Sequence, residues 1–244
     1  MTEIIITSGP VELAEKAAQL FFTIAQEAIE QRARFTVALS GGSTPRAVNH
    51  QIASRFATKL DWTRVFIFFG DERPVPPDHP ESNYRMARES LLLRVPVPPA
   101  NVHRMPAELP SDLAASEYES QLRDFFSQPE GFPVFDLIFL GMGDDGHTAS
   151  LFPRTAALQE SRRWVVKNRV EKLNTDRITL TFPVINRARH VIFLVAGGAK
   201  AFALKQVLEG APDPALYPSQ SVHPEGRLTW LVDRTAAAEL TKGP

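Results

Sequence analysis

Five short apolar runs constrain what this chain can fold into: FTVAL (Phe35 to Leu39), VFIFF (Val65 to Phe69), FDLIFL (Phe135 to Leu140), VIFLV (Val191 to Val195) and LTWLV (Leu228 to Val232). Each is short, rich in β-branched and aromatic residues, and bounded by turn formers, so each reads as a buried strand. An Ile run at Glu3 to Thr7 adds a first strand, and Trp164 to Lys167 and Arg177 to Phe182 add two more. Asn101 to Met105 is read as a further short strand. Helical patterns lie between them. Ala14, Ala17, Ala18, Phe21, Ala25, Ala28 and Ile29 recur at helical spacing after Pro10, and Ala115, Tyr118, Leu122, Phe125 and Phe126 do so after Ser111. Strands alternating with helices throughout predict an α/β fold, a mostly parallel sheet with helices on both faces. No repeat or linker breaks the pattern, so residues 1–244 are expected to form a single domain.

Composition narrows the function classes. The formal net charge of -1 argues against a surface built for nucleic acid, although a local basic pocket is compatible with it. No apolar run approaches the roughly 20 residues that span a bilayer, so no membrane association is expected. The chain has no cysteine, which removes disulfides, thiolate metal sites and cysteine nucleophiles. With no leader pattern over Met1 to Thr7, a cytoplasmic location is expected.

Chemistry in open α/β sheets gathers at the carboxyl ends of strands, and the residues there are distinctive. FTVAL runs into SGGSTPR, where Gly41 and Gly42 allow a tight turn, Thr44 is placed to cap a helix from Pro45 to about Phe56, and Ser43 supplies a second hydroxyl. Free N–H groups and the helix dipole make such a turn a candidate anion site, with Arg46 in the first turn within reach. VFIFF ends in Gly70-Asp71-Glu72-Arg73, followed by a proline-rich loop, Pro74 to Pro80, and a helix opening at Ser82-Asn83-Tyr84. VIFLV leads to Lys200 in the first turn of a helix, where a bound anion would compensate an otherwise unfavourable cation.

The third strand ends in GMGDDGH, Gly141 to His147. The spacing matches a dinucleotide fingerprint, but Asp144 and Asp145 would repel a pyrophosphate there. Metal ligation by Asp144, Asp145 and His147 is a second reading, without any established ligand spacing to support it. The third is acid–base chemistry: His147 as a general base, kept neutral by a helix beginning there, with Asp145 orienting its ring. No serine-nucleophile elbow is present, so any hydrolysis would use water directly.

Taken together, LSGGSTP, GDERPVP with SNY, GMGDDGHTASLFP, the stretch Arg177 to Ala201, and YPSQSVHPEGRLTWLVD (Tyr217 to Asp233) resemble the 6-phosphogluconolactonase family, in the superfamily that includes glucosamine-6-phosphate deaminases. The resemblance implies a Rossmann-like fold, hydrolysis of 6-phosphoglucono-δ-lactone in the oxidative pentose phosphate pathway, and no cofactor or metal. Its implied partner is the sugar-phosphate lactone alone, and a monomer is expected. By position it makes His147 the base and Asp145 its neighbour, puts Arg73 at the catalytic pocket, and matches Asp71 to an acid–base position of the deaminases. It assigns phosphate binding to Gly41, Gly42, Ser43 and Thr44 with Arg189 and Lys200. Asn83, within the SNY segment, joins the substrate-binding set. Deaminases of the superfamily carry a glutamate where this chain has Phe152, and the family's usual tyrosine after Asp-Glu is Arg73 here. Both departures favour the lactonase branch over a deaminase or isomerase. A non-catalytic sugar-phosphate sensor is the alternative of a different class.

Overall fold

A computed structural model describes residues 2–128 and 130–241. In the segment 128–133, which leads into the FDLIFL run, residue 129 lies outside the described residues. The strands are β1 (Thr2–Thr7), β2 (Phe35–Leu39), β3 (Val65–Phe69), β4 (Asp71–Glu72), β5 (Leu137–Gly141), β6 (Val165–Val170), β7 (Thr175–Leu180), β8 (His190–Val195) and β9 (Arg227–Asp233). The helices are α1 (Pro10–Arg32), α2 (Ser43–Phe56), α3 (Asn83–Ala87), α4 (Ser111–Phe126), α5 (Phe182–Asn186) and α6 (Ala201–Glu209).

Six strands form one sheet in the order β1-β9-β8-β5-β2-β3, and every pairing is parallel. The alternation of side chains explains why these strands read as unbroken apolar runs. Phe35 packs edge-on to Phe21 of α1, and Phe139 of β5 stacks on the same ring. Phe66 and Phe68 of β3 point the other way, onto Phe125 of α4. All five residues of β2 are buried because helices cover both faces.

From β2 the chain steps outward to β3, then returns to β5 and continues to β8 and β9 on the other side. Strand order therefore reverses between β2 and β5, and the carboxyl ends of these two strands flank a crevice of the kind in which open α/β sheets bind ligands.

A second sheet, β4-β7-β6, is antiparallel. It grows from the end of β3: Asp71 pairs with Thr179 and Glu72 with Ile178, while β6 and β7 form a hairpin whose tip is the helical turn Glu171–Leu173. The segment 101–105 is not a strand; only Val102 bridges to Ile67.

Candidate active site

At that crevice lies a cavity of about 400 Å³. Its wall takes Ser40 and Gly41 from the end of β2, Asp71 and Arg73 from β4 and beyond, Asn83 from α3, and His147 from the loop after β5. Lys200, immediately before α6, closes one side, and Lys172 and Arg177 of the hairpin close another.

The loop after β5 is shaped around its histidine. Asp145 Oδ1 accepts the His147 backbone N–H at 3.1 Å and lies 2.5 Å from the ring Nδ1. A carboxylate only accepts, so Nδ1 carries the proton, and in the neutral ring Nε2 is the nitrogen left with a lone pair. Burial alone would raise the Asp145 carboxyl, but hydrogen bonds from His147 and Lys172 hold it well below the usual range. Gly143 N–H donates to the His147 carbonyl at 2.8 Å, folding the loop back on itself. A Cβ on Gly143 would sit 2.1 Å from Nδ1 and 2.5 Å from Asp145 Oδ1, so the ion pair occupies the space a side chain would need. The glycine pattern that mimics a nucleotide fingerprint thus serves the histidine.

No helix begins at His147. Ala149 and Arg154 adopt left-handed φ values of 46° and 59°, which interrupt any helical run. The dipole argument for a neutral imidazole therefore falls away, and the ring is held instead by Asp145 and by Phe152. The Phe152 ring stacks on the imidazole at 4.0 Å between centroids.

Asp71 is buried and spent on structure. Its Oδ2 accepts from Ser150 Oγ at 2.6 Å and its Oδ1 from Asn83 Nδ2 at 3.3 Å, tying α3 to the histidine loop. Glu72 beside it gathers the proline-rich loop: its carboxylate accepts the N–H groups of Arg73, Asn83 and Tyr84 and the Ser82 hydroxyl. Burial pushes this carboxyl up, with the three N–H groups pulling the other way. Both ends of the loop are thereby pinned, and Arg73 and Asn83 stand at those ends.

Two buried polar atoms of the wall, Ser40 Oγ and Asn83 Oδ1, have no protein partner. Asn83 Oδ1 lies where a Cβ on residue 41 would be, 1.8 Å from that position, so Gly41 is what admits it. Burial lowers the Arg177 guanidinium and the neighbouring positive charge of Arg73 adds to the effect. Two like charges held side by side in a cavity create a strong field for an anion.

The other expected residues divide. Gly42, Ser43 and Arg46 line an adjoining recess that shares Arg73 and Asn83 with the main cavity. Thr44 caps nothing: α2 starts at Ser43 with Gly42 as its cap residue and no side-chain hydrogen bond. Arg189 is a correction. It precedes β8, at the amino ends of the strands, where its Nε lies 3.5 Å from Asp136 beside Arg32. A family motif locates a residue along the chain, not at a pole of the sheet, and Arg189 is at the wrong pole to meet the substrate. Lys172, Arg177 and Ser150 were not anticipated. Arg177 opens a stretch read as a strand, Lys172 lies between two such stretches, and Ser150 becomes visible only through Asp71. Among the described residues, no three histidine or acidic side chains converge so as to hold a metal ion.

Residues 8–230 match the family model described as glucosamine-6-phosphate isomerases/6-phosphogluconolactonase. The chain belongs to that family. A 6-phosphogluconolactonase of Nostoc sp. is 47% identical over 231 residues, covering 94% of each chain. The human 6-phosphogluconolactonase is 41% identical, covering 97% of this chain and 93% of its own. Among solved structures, the 6-phosphogluconolactonase from Trypanosoma cruzi superposes with a TM-score of 0.88 at 31% identity, over 99% of this chain and 98% of that one. A monomeric glucosamine-6-phosphate deaminase superposes with a TM-score of 0.81 at 21% identity, over 98% and 100%, a likeness of fold.

Proposed function

We propose that this protein hydrolyses 6-phosphoglucono-δ-lactone to 6-phosphogluconate, the second step of the oxidative pentose phosphate pathway. The observation that carries the reading is the His147–Asp145 pair in a cavity whose wall also brings together the cations Arg73, Arg177 and Lys200. The curated relatives named above are called 6-phosphogluconolactonases, which supports it.

In this reading His147 Nε2 takes a proton from water as the water oxygen attacks the lactone carbonyl. The tetrahedral oxyanion that forms is stabilised by Arg73, with Arg177 beside it. Collapse of the intermediate breaks the bond to the ring oxygen, which leaves with the proton from the imidazolium. Asp145 keeps the ring in the required tautomer and stabilises its charged form. Lys200 and the Gly41 to Ser43 turn anchor the remote phosphate, so that binding energy far from the carbonyl orients it. Ser40 Oγ and Asn83 Oδ1, buried and unpartnered, suit the hydroxyls of a sugar acid.

Ring opening and deamination of an amino sugar would need a further ionisable group beside the histidine. Phe152, stacked on that ring, has no proton to move. The test is the loss of freshly prepared 6-phosphoglucono-δ-lactone measured against its spontaneous hydrolysis, with the unphosphorylated lactone and glucosamine 6-phosphate alongside. Rapid turnover of the phosphorylated lactone alone is expected. Ammonia release from glucosamine 6-phosphate, or equal rates on both lactones, would overturn the reading.

A further inference from the structure

The carboxylate that orients His147 is itself held from outside. Asp145 gives Oδ1 to the imidazole and Oδ2 to the ammonium of Lys172. Lys172 stands on the helical turn at the tip of the β6–β7 hairpin, in the second sheet, 27 residues from its partner in sequence. The same ammonium lies 5.2 Å from the centroid of the Phe152 ring, the ring stacked on His147. One cation therefore touches both groups that hold the imidazole in place.

Building on the acid–base role assigned to His147, we propose that Lys172 is a positioning residue for the catalytic pair: it divides the Asp145 carboxylate between two partners, fixing its orientation and moderating the negative charge that the imidazole meets.

The chemistry of the surroundings supports this division. An unshared aspartate 2.5 Å from Nδ1 would favour the imidazolium, the form that cannot act as a base. Around His147 the remaining charges are Asp144 of its own loop, Asp71 of β4, Arg73 beyond it, Arg177 of β7 and Lys200 before α6. Asp71 is committed to Ser150 and Asn83, and Arg73 donates to the Glu81 carbonyl. Lys172 is the cation that hydrogen-bonds the carboxylate facing the ring. The hydrogen bonds of both His147 and Lys172 outweigh burial in keeping Asp145 ionised, which is the electrostatic counterpart of the geometry.

The lysine side chain is 52% exposed, so its effect on the ring is partly screened by solvent. The test is Lys172→Met, which keeps an unbranched stem and removes the ammonium that bonds Asp145 and lies over Phe152, with Lys172→Arg as the charge-retaining companion. The acid limb of the kcat/KM profile on the phosphorylated lactone should move up by about half to one pH unit in Lys172→Met. The plateau should change by no more than a few-fold, and Lys172→Arg should keep the wild-type limb. In parallel, the His147 ring resonance followed by NMR against pH should show the same upward movement without any substrate. An unmoved His147 titration in Lys172→Met overturns the proposal. So does a pH-independent loss of rate with an unmoved limb. If wild type fails to hydrolyse the lactone while the NMR midpoint still moves, the functional reading falls and the role of Lys172 in the pair stands.

Discussion

Gly143→Ala is the sharpest perturbation of the proposed site, because it changes one methyl group and spares the backbone. Gly143 is not among the residues with positive φ, so alanine meets no conformational strain there. What it meets is the pair itself: the new Cβ would fall 2.1 Å from His147 Nδ1 and 2.5 Å from Asp145 Oδ1. Ordinary contact at ~3.5 Å requires the ring or the carboxylate to retreat by more than about an ångström. That retreat breaks a charge-assisted hydrogen bond worth about 1.5–3 kcal/mol, roughly 10- to 100-fold in rate. A displacement of the base on the order of 1 Å costs about another 100-fold through lost alignment. The expected fall in kcat/KM is therefore about 10³–10⁴-fold, measured by lactone loss above the spontaneous rate, with a Tm close to wild type. Gly9→Ala, at the extended residue that precedes α1 and outside the cavity wall, is the control. Its Cβ would meet nothing within 4 Å, and activity within a few-fold of wild type is expected. If Gly143→Ala kept more than a third of wild-type kcat/KM, the His147–Asp145 geometry would not be what drives the reaction.

Other outcomes follow from the same structure. His147→Asn should lower kcat by about 10²–10⁴-fold, the usual worth of a general base, with an unchanged circular dichroism spectrum. Lys200→Ala should raise KM for the phosphorylated lactone at least tenfold, whereas Arg189→Ala should leave kcat/KM within twofold, since Arg189 pairs with Asp136 at the opposite pole. His190 contributes to acid stability. Burial, reinforced by the positive charge of Arg227, lowers its folded-state value to about 4 from 6.5. The folded state therefore resists protonation that the unfolded chain accepts, so this stability is present above about pH 6.5 and lost as pH falls toward 4. At pH 5 the loss relative to pH 8 amounts to about 2 kcal/mol. His190→Gln should flatten that dependence in urea titrations at the two pH values.

Much of this was legible in the chain, for identifiable reasons. β2 and β3 lie where their apolar runs predict because strands buried on both faces leave no ambiguity of period. His147 and Asp145 were legible because two residues of one tight loop necessarily meet. Residues brought together from different elements were not. Lys172 and Arg177 reach the cavity from a hairpin whose pairing with β4 is a tertiary fact, and its charged turn looks like any solvated loop. Arg189 failed for the converse reason: it lies next to a strand, but at the end facing away from the crevice. The helix expected after His147 was excluded by local backbone, the left-handed Ala149, where alanine gave no warning.

The Glu72 clasp has a consequence for how freely the protein can vary. A single buried carboxylate receives donors from both ends of the proline-rich loop, so the backbones of Arg73 and Asn83 are anchored to β4, while the Arg73 side chain also donates to the Glu81 carbonyl. The span from Pro74 to Pro80 then acts like a handle bolted at both ends. It can be lengthened, re-sequenced or fitted with a reporter group while the bolts hold. The same arrangement concentrates vulnerability: a change at Glu72 alone would remove the backbone anchor at both ends at once, leaving Asn83 only its side-chain bonds to Asp71.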